Sequence, residues 1–244
     1  MRKEDFLMNS ISCRLQLTAA LSLVALAALP GATFAANVTG KAKFEGERPR
    51  RFVIKMDADP KCAAIHGETR VPTEDAIVDR EGNLQNVFVY IKSGLGDKKF
   101  DPPSTPAKID QVGCIYVPHV QGMMVNQNLE IVNSDPTAHN IHCLAKTNPE
   151  FNFGQTVPGT QIKVFRRSEE AVKFKCDIHP WMGAFIFVLE HPFFAVSEKD
   201  GSFTIKDLPD GKYTLAAWHE KYGEQTVEIT VSGADVTQDF TFKE

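Results

Sequence analysis

The sequence predicts an all-β protein, and three observations carry that expectation. Short runs that alternate apolar and polar residues recur along most of the chain. Turn dipeptides separate them, and no long stretch keeps a helical period. Many short strands with regular turns point to a β-sandwich or a barrel.

Taken in order, the expected strands are 38–44, 52–54, 86–91, 114–117, 129–132 and 139–144. Further on they are 161–165, 171–176, 184–189, 203–205, 212–218, 224–231 and 237–242. Asp200-Gly201 and Asp210-Gly211 are strong hairpin signals, because glycine supplies the positive φ that tight turns need. Residues 60–66 form the one stretch that invites a short helix. Residues 94–106 are rich in Gly and Pro and read as a linker, and a second break falls at Glu190-His191-Pro192.

The N-terminus reads as an export signal. Arg2, Lys3 and Arg14 flank an apolar run from Leu15 to Leu29 that ends in small residues, with cleavage expected after Ala35 or Ala36. An uncleaved anchor is the alternative, but the run is short for a span of roughly 20 residues. The localisation expected is therefore the periplasm or the extracellular space. The chain carries 27 Lys+Arg and 31 Asp+Glu, of which three and two respectively precede residue 36. The mature protein is thus mildly acidic. It has no basic run or RNA-binding aromatic motif, so nucleic acid is not an expected partner. No later segment is apolar enough to span a membrane.

Past residue 36 the cysteines are Cys62, Cys114, Cys143 and Cys176. Export permits a disulfide. If Cys176 holds a metal, three thiols remain and one is left over. Cys62 and Cys114 lie in loop-like or strand-start settings, and their pairing is expected.

The chemistry concentrates in Cys176-Asp177-Ile178-His179-Pro180-Trp181-Met182. A thiolate, an imidazole and a thioether share one short loop. These are three of the four ligands of a site in which two His and one Cys lie near a plane around copper, with a weak axial Met. The second imidazole is expected from His139-Asn140-Ile141-His142-Cys143. Strand alternation puts His139, Ile141 and Cys143 on one face and His142 on the other. His139 starts the strand, near the end of the sandwich where a ligand belongs, and Cys143 reads as an inert buried thiol. Val172, Phe174 and Cys176 likewise share a face, so the Cys176 sulfur emerges where strand becomes loop. Backbone amides of the loop are expected to bond that sulfur, and Pro180 to stiffen it. His66, His119, His191 and His219 share no spacing and read as surface or hydrogen-bonded histidines. Trp181 is either an exposed contact for a redox partner over the His179 edge or packs beneath the C-terminal segment.

Cys-x-x-His-Pro-aromatic-Met, here Cys176, His179, Pro180, Trp181 and Met182, resembles the ligand loop of the cupredoxin family and its amicyanin-like members. The segment His139-Asn140-Ile141-His142 is similar to their upstream ligand segment. Tyr116-Val117-Pro118 and residues 125–131 look like the preceding strands. The resemblance covers roughly 108–190. It implies a Greek-key β-sandwich holding one type 1 copper ion through His139, Cys176, His179 and Met182. It also implies that Asn140 ties the two ligand loops together. Asp177 stands where the family often has Ser or Thr, and an added carboxylate near the ion is expected to favour Cu(II). Gln127-Asn128 replaces a more usual Gly-containing turn.

Residues 199–215, with Asp-Gly-x-Phe followed by Leu-Pro-x-Gly-x-Tyr, resemble the transthyretin-like or carboxypeptidase regulatory-like fold. Val38-Thr39-Gly40-Lys41-Ala42-Lys43-Phe44 looks like the opening strand of that family, far upstream. The expected order is therefore a signal at 1–35, the first part of an Ig/transthyretin-like sandwich at 37–106, a cupredoxin domain at 107–190, and the second part at 191–244. A plain tandem is the alternative. Asp207, Asp210 and Glu220 are expected as surface charges.

The function expected is one-electron transfer outside the cytoplasm, by outer-sphere exchange through an exposed His179 edge. No general base, substrate pocket or second metal is evident in the sequence, so an enzyme is not expected. The partners implied are cytochrome c or periplasmic oxidoreductases. The rival expectations are a copper carrier and a metal-free interaction module.

Overall fold

The computed structural model describes residues 35–244, and the expected export signal lies outside them save for its last residue. The chain is built from β1 (Ala35–Phe44), α1 (Pro60–His66), β2 (Phe88–Ser93), β3 (Ala107–Val112), β4 (Ile115–Val117), β5 (Val120–Met124) and β6 (Asn128–Asn133). β7 (His139–Leu144), β8 (Phe151–Gln155), β9 (Gly159–Val164), β10 (Glu169–Lys175), β11 (Gly183–Leu189) and β12 (Phe194–Val196) follow. The chain ends with β13 (Ser202–Pro209), β14 (Gly211–His219), β15 (Gly223–Val231), β16 (Val236–Thr237) and β17 (Phe240–Phe242).

Four sheets result. β3, β4, β6 and β9 form one, in the order β4-β3-β6-β9, and β5-β11-β10-β7-β8 forms a second. Their inner faces share one core that includes Ile109, Leu129, Ile141, Phe174 and Ile186. The other two sheets draw on both ends of the chain. β1 pairs antiparallel with β13 and parallel with β16 and β17, while β2 lies between β12 and β14, with β15 beyond. A separate core, with Val38, Leu84, Val89, Leu215 and Phe242, lies between them.

Alternation explains most of these strands. Along β7, every second residue from His139 is buried, which is the period-two signature of a half-buried strand. Strands missed by the sequence reading are β3, β5 and β8, whose Gln, Asn and Gly residues blur the pattern, and β12, which has only three residues. Conversely, the strand expected at 52–54 reduces to a bridge between Val53 and Pro72. Proline has no N–H to extend a ladder, so this segment stays irregular. The helix forms as expected: Asp59 caps it by accepting from Lys61 N at 2.8 Å and Cys62 N at 3.2 Å, and Pro60 fills the first turn.

A third cluster joins the two sandwiches. Phe187 of β11 stacks on Phe88 of β2 with centroids 4.0 Å apart and planes 11° off parallel. Tyr90 and Trp218 pack on the same ring. Gly122 makes this approach possible, since a Cβ there would lie 2.5 Å from the Phe194 ring.

Glu220 is not the free surface charge expected. It accepts a hydrogen bond from His119 Nε2, while His119 Nδ1 donates to Gly183 O at 3.0 Å. Burial opposes a charge on His119, but the bond to Glu220 and the carboxylates of Glu220 and Glu74 outweigh it and hold its pKa above the ordinary value. Stability from this pair is therefore fully present below the unfolded value of about 6.5 and is lost as pH rises through the folded value. Melting temperatures of wild type and Glu220→Gln across pH 5.5–9 test this. The wild-type advantage is expected to shrink as pH rises, and a constant advantage would count against the pair.

Candidate metal centre

β7 and the turn between β10 and β11 bring the chemical groups together. His139 opens β7 with its side chain inward. Cys176 follows the last residue of β10, and the turn 176–182 closes by Met182 N donating to His179 O at 2.9 Å and Cys176 N donating to Met182 O at 3.3 Å. His139 Nδ1 and His179 Nδ1 stand 3.0 Å apart, and Cys176 Sγ lies 4.0 Å from His179 Nδ1. The three groups form a set whose ligand atoms lie within 4.8 Å of one another. His139, Cys176, His179 and Met182 are all at most 3% exposed.

The His139–His179 and His179–Cys176 separations fit an ion between these atoms. Metal–nitrogen bonds of about 2.0 Å and metal–sulfur bonds of about 2.3 Å allow N···N up to roughly 4 Å and N···S up to roughly 4.3 Å. The donor set is also discriminating. One soft thiolate with two imidazoles and a neighbouring thioether suits copper better than a hard cation. His179 N donates to Cys176 Sγ at 3.2 Å, so a backbone amide faces the sulfur. Met182 is buried in the same core as Cys176.

Asn140 links the two ligand segments: Asp177 N donates to its Oδ1 at 2.9 Å, and its Nδ2 donates to Asn152 Oδ1 at 2.6 Å. Pro180 is exposed on the turn. The Asp177 carboxylate accepts from Lys175 at 2.8 Å and from Asn152 at 2.8 Å, and contacts His142 Nδ1 at 3.0 Å. The Lys175 and Asn152 hydrogen bonds hold its pKa down at about 2. Asp177 thus belongs to a charge network with Lys175, Asn152 and His142 beside the turn. Cys143 is buried and thiol-bearing, with its pKa pushed up to about 12 by burial, as suits an inert side chain.

The exposed His179 edge expected from the sequence is absent. His179 is 2% exposed because the segment around α1 covers it. Its Nε2 contacts Asp59 Oδ2 at 2.9 Å and lies 3.6 Å from Cys62 Sγ. Cys62 is joined to Cys114 in a disulfide, which ties α1 to the turn before β4. Trp181 packs beneath this cap, not beneath the C-terminal segment. Its Nε1 donates to Cys114 O at 2.9 Å and its ring lies 5.0 Å from that of His179. His66 adds a further tie, from Nε2 to Gly113 O at 2.6 Å.

The far side of the other imidazole is closed in the same way. His139 Nε2 contacts Asp135 Oδ2 at 2.8 Å, and Asp135 accepts from Gly113 N at 2.7 Å and Cys114 N at 2.8 Å. Burial pushes the pKa of His139 down despite this carboxylate, whereas the hydrogen bond from His179 holds that of Asp59 below the usual range. Two further groupings, Asp59–Cys62–His179 and Cys114–Asp135–His139, lie as close together as the first. Their sulfurs are consumed by the disulfide, so they do not compete for an ion. Asp59 and Asp135 were not among the residues singled out in the sequence. Nothing local signals the contact of Asp59 with His179 across 120 positions.

One approach to the ligand turn stays open. A cavity of about 540 Å³ reaches Cys176, Met182 and Trp181, with Phe52, Tyr116 and Phe185 among its walls.

No protein family matches the chain, and no curated protein matches it either. Among solved structures, a copper-containing nitrite reductase from Thermus scotoductus is similar at 24% identity and a TM-score of 0.33, over 40% of this chain and 25% of that one. The alignment thus spans a quarter of the reductase. A purple cupredoxin from Nitrosopumilus maritimus is similar at 22% identity and a TM-score of 0.29, over 34% of this chain and 98% of that one. An amicyanin variant in its reduced state is similar at 17% identity and a TM-score of 0.31, over 41% of this chain and 97% of that one.

Proposed function

We propose that this protein holds one type 1 copper ion through His139, Cys176 and His179, with Met182 as the weak axial ligand, and passes single electrons between partners outside the cytoplasm. The observation that carries the reading is the convergence of His139 Nδ1, His179 Nδ1 and Cys176 Sγ in a buried site. Bound copper would supply a one-electron couple between Cu(I) and Cu(II). The chain's own contribution is to hold the ligands still. Asn140 locks the turn to β7, the amide of His179 faces the sulfur, and the disulfide-tied cap keeps water from the imidazoles.

Because the cap closes the His179 edge, we place electron entry on the Trp181 and Met182 side, where the cavity reaches the turn. We read the protein as an electron carrier rather than an enzyme, with cytochrome c or another exported oxidoreductase as partner. No described helix is long and apolar enough to cross a membrane. We further read residues 107–190 as inserted into a sandwich of transthyretin-like type. What supports this is the pairing of β1 with β13 and β2 with β14 around the insertion.

The test is a visible spectrum during stoichiometric Cu(II) addition, with Cys176→Ser alongside. An intense thiolate-to-copper band in the wild type, absent from the variant, is the expected result. A colourless wild type would sink the proposal. Tight, exchangeable Cu(I) without a coloured Cu(II) state would instead mark a copper carrier.

A further inference from the structure

Each candidate ligand imidazole is held from behind by a carboxylate, and the two arrangements mirror one another. Asp135 Oδ2 lies 2.8 Å from His139 Nε2, and Asp59 Oδ2 lies 2.9 Å from His179 Nε2. Neither carboxylate is loose. Asp135 is 3% exposed and takes the amides of Gly113 and Cys114, while Asp59 takes those of Lys61 and Cys62. Both amide sets include a disulfide cysteine, so one cross-link fixes the two carboxylates relative to each other. A carboxylate at Nε2 requires the proton there and leaves the Nδ1 lone pair free, and the two Nδ1 atoms are the ones that converge.

We propose that Asp59 and Asp135 are paired positioning residues that select the Nε2–H tautomer of both imidazoles, strengthen them as donors, and so bias the metal centre toward its oxidised state. The inference rests on the copper reading for its redox half, and on geometry alone for its tautomer half. A carboxylate accepting from a ligand histidine raises the basicity of that ligand, and the more highly charged ion gains more from a stronger donor. Asp177, the carboxylate next to Cys176 in sequence, does not share this role, because its oxygens are engaged by Lys175, Asn152 and His142.

The experiment uses the full-length mature protein and two single variants that remove the charge: Asp59→Asn, which keeps the one oxygen that accepts from Lys61 N and Cys62 N, and Asp135→Asn, which keeps one of the two oxygens that accept from Gly113 N and Cys114 N. In the metal-free wild type, imidazole nitrogen NMR is expected to show both His139 and His179 as the Nε2–H tautomer. Each variant should release its own histidine into a mixture of tautomers and leave the other unchanged. In the copper-loaded proteins, each variant should weaken Cu(II) relative to Cu(I) by about tenfold, which raises the reduction potential by about 59 mV. Unchanged tautomers in both variants would overturn the positioning role whatever the protein binds. A retained blue band with unchanged potentials in both would overturn the redox bias, and a rise in only one would overturn the pairing. A wild type that keeps the Nε2–H tautomers but never turns blue would refute the copper reading and leave the tautomer half standing.

Discussion

Replacing Cys62 and Cys114 together with serine is expected to lower the melting temperature by roughly 8–16 °C. The two residues are 52 positions apart, and a cross-link closing a loop of that length restricts the unfolded chain by about 4 kcal/mol. For a chain of this size each kcal/mol moves the midpoint by roughly 2–4 °C. Apart from the cross-link, the cap is held by single contacts of Asp59, His66 and Trp181. α1 has seven residues, too few to persist alone, and the segment before it contributes a bridge at Val53 rather than a strand. Replacing both partners leaves neither disulfide cysteine as a new unpaired thiol beside the buried Cys143 and Cys176. Calorimetry measures the midpoint, and hydrogen exchange over 59–66 reports whether the loss begins at the cap. An unchanged midpoint with unchanged exchange would mean that Asp59, His66 and Trp181 hold the cap without the covalent tie.

Phe187→Ala is expected to cost about 3–5 kcal/mol, the usual range for emptying a buried aromatic site. Phe187 has no exposed surface and touches Phe88, Tyr90 and Trp218, which come from the sheet that draws on both chain ends. Its loss therefore leaves a void on the seam between the two cores. Beyond the lowered midpoint, the variant should separate the unfolding of the two sandwiches, so that near-ultraviolet circular dichroism and calorimetry no longer give coincident transitions. A variant that loses less than about 1 kcal/mol and keeps coincident transitions would show that the seam carries little of the stability.

Most of the ligand geometry was legible from periodicity. Strand alternation separated His139 from His142 and set Cys143 inward, because the side-chain period of a strand is two wherever it sits. The turn 176–182 was legible for a similar reason. Seven residues between two strands leave few ways to close, and their order fixes which side chains face one point. α1 was legible as a short helix over 60–66, and its stability is local too, since Asp59 caps the first turn with contacts two and three residues away.

What lies behind the imidazoles was not legible. Asp59 and Asp135 reach their histidines from loops whose course depends on the disulfide and on packing against Trp181. The expectation of an open His179 edge failed at the same place, because cover by a segment 120 residues upstream leaves no trace in local pattern. The pairing of the first strand with the thirteenth is of the same kind: Val38-Thr39-Gly40 hinted at it, but only contact across the fold decides register. By itself the sequence determined the β architecture, the inward His139 and Cys176 and the turn that presents His179 and Met182, all of which follow from periods and contacts of a few residues. Tertiary structure alone decided that His179 is capped and which carboxylates stand behind the two histidines. Those depend on which distant surfaces close together when the cores bury their apolar area.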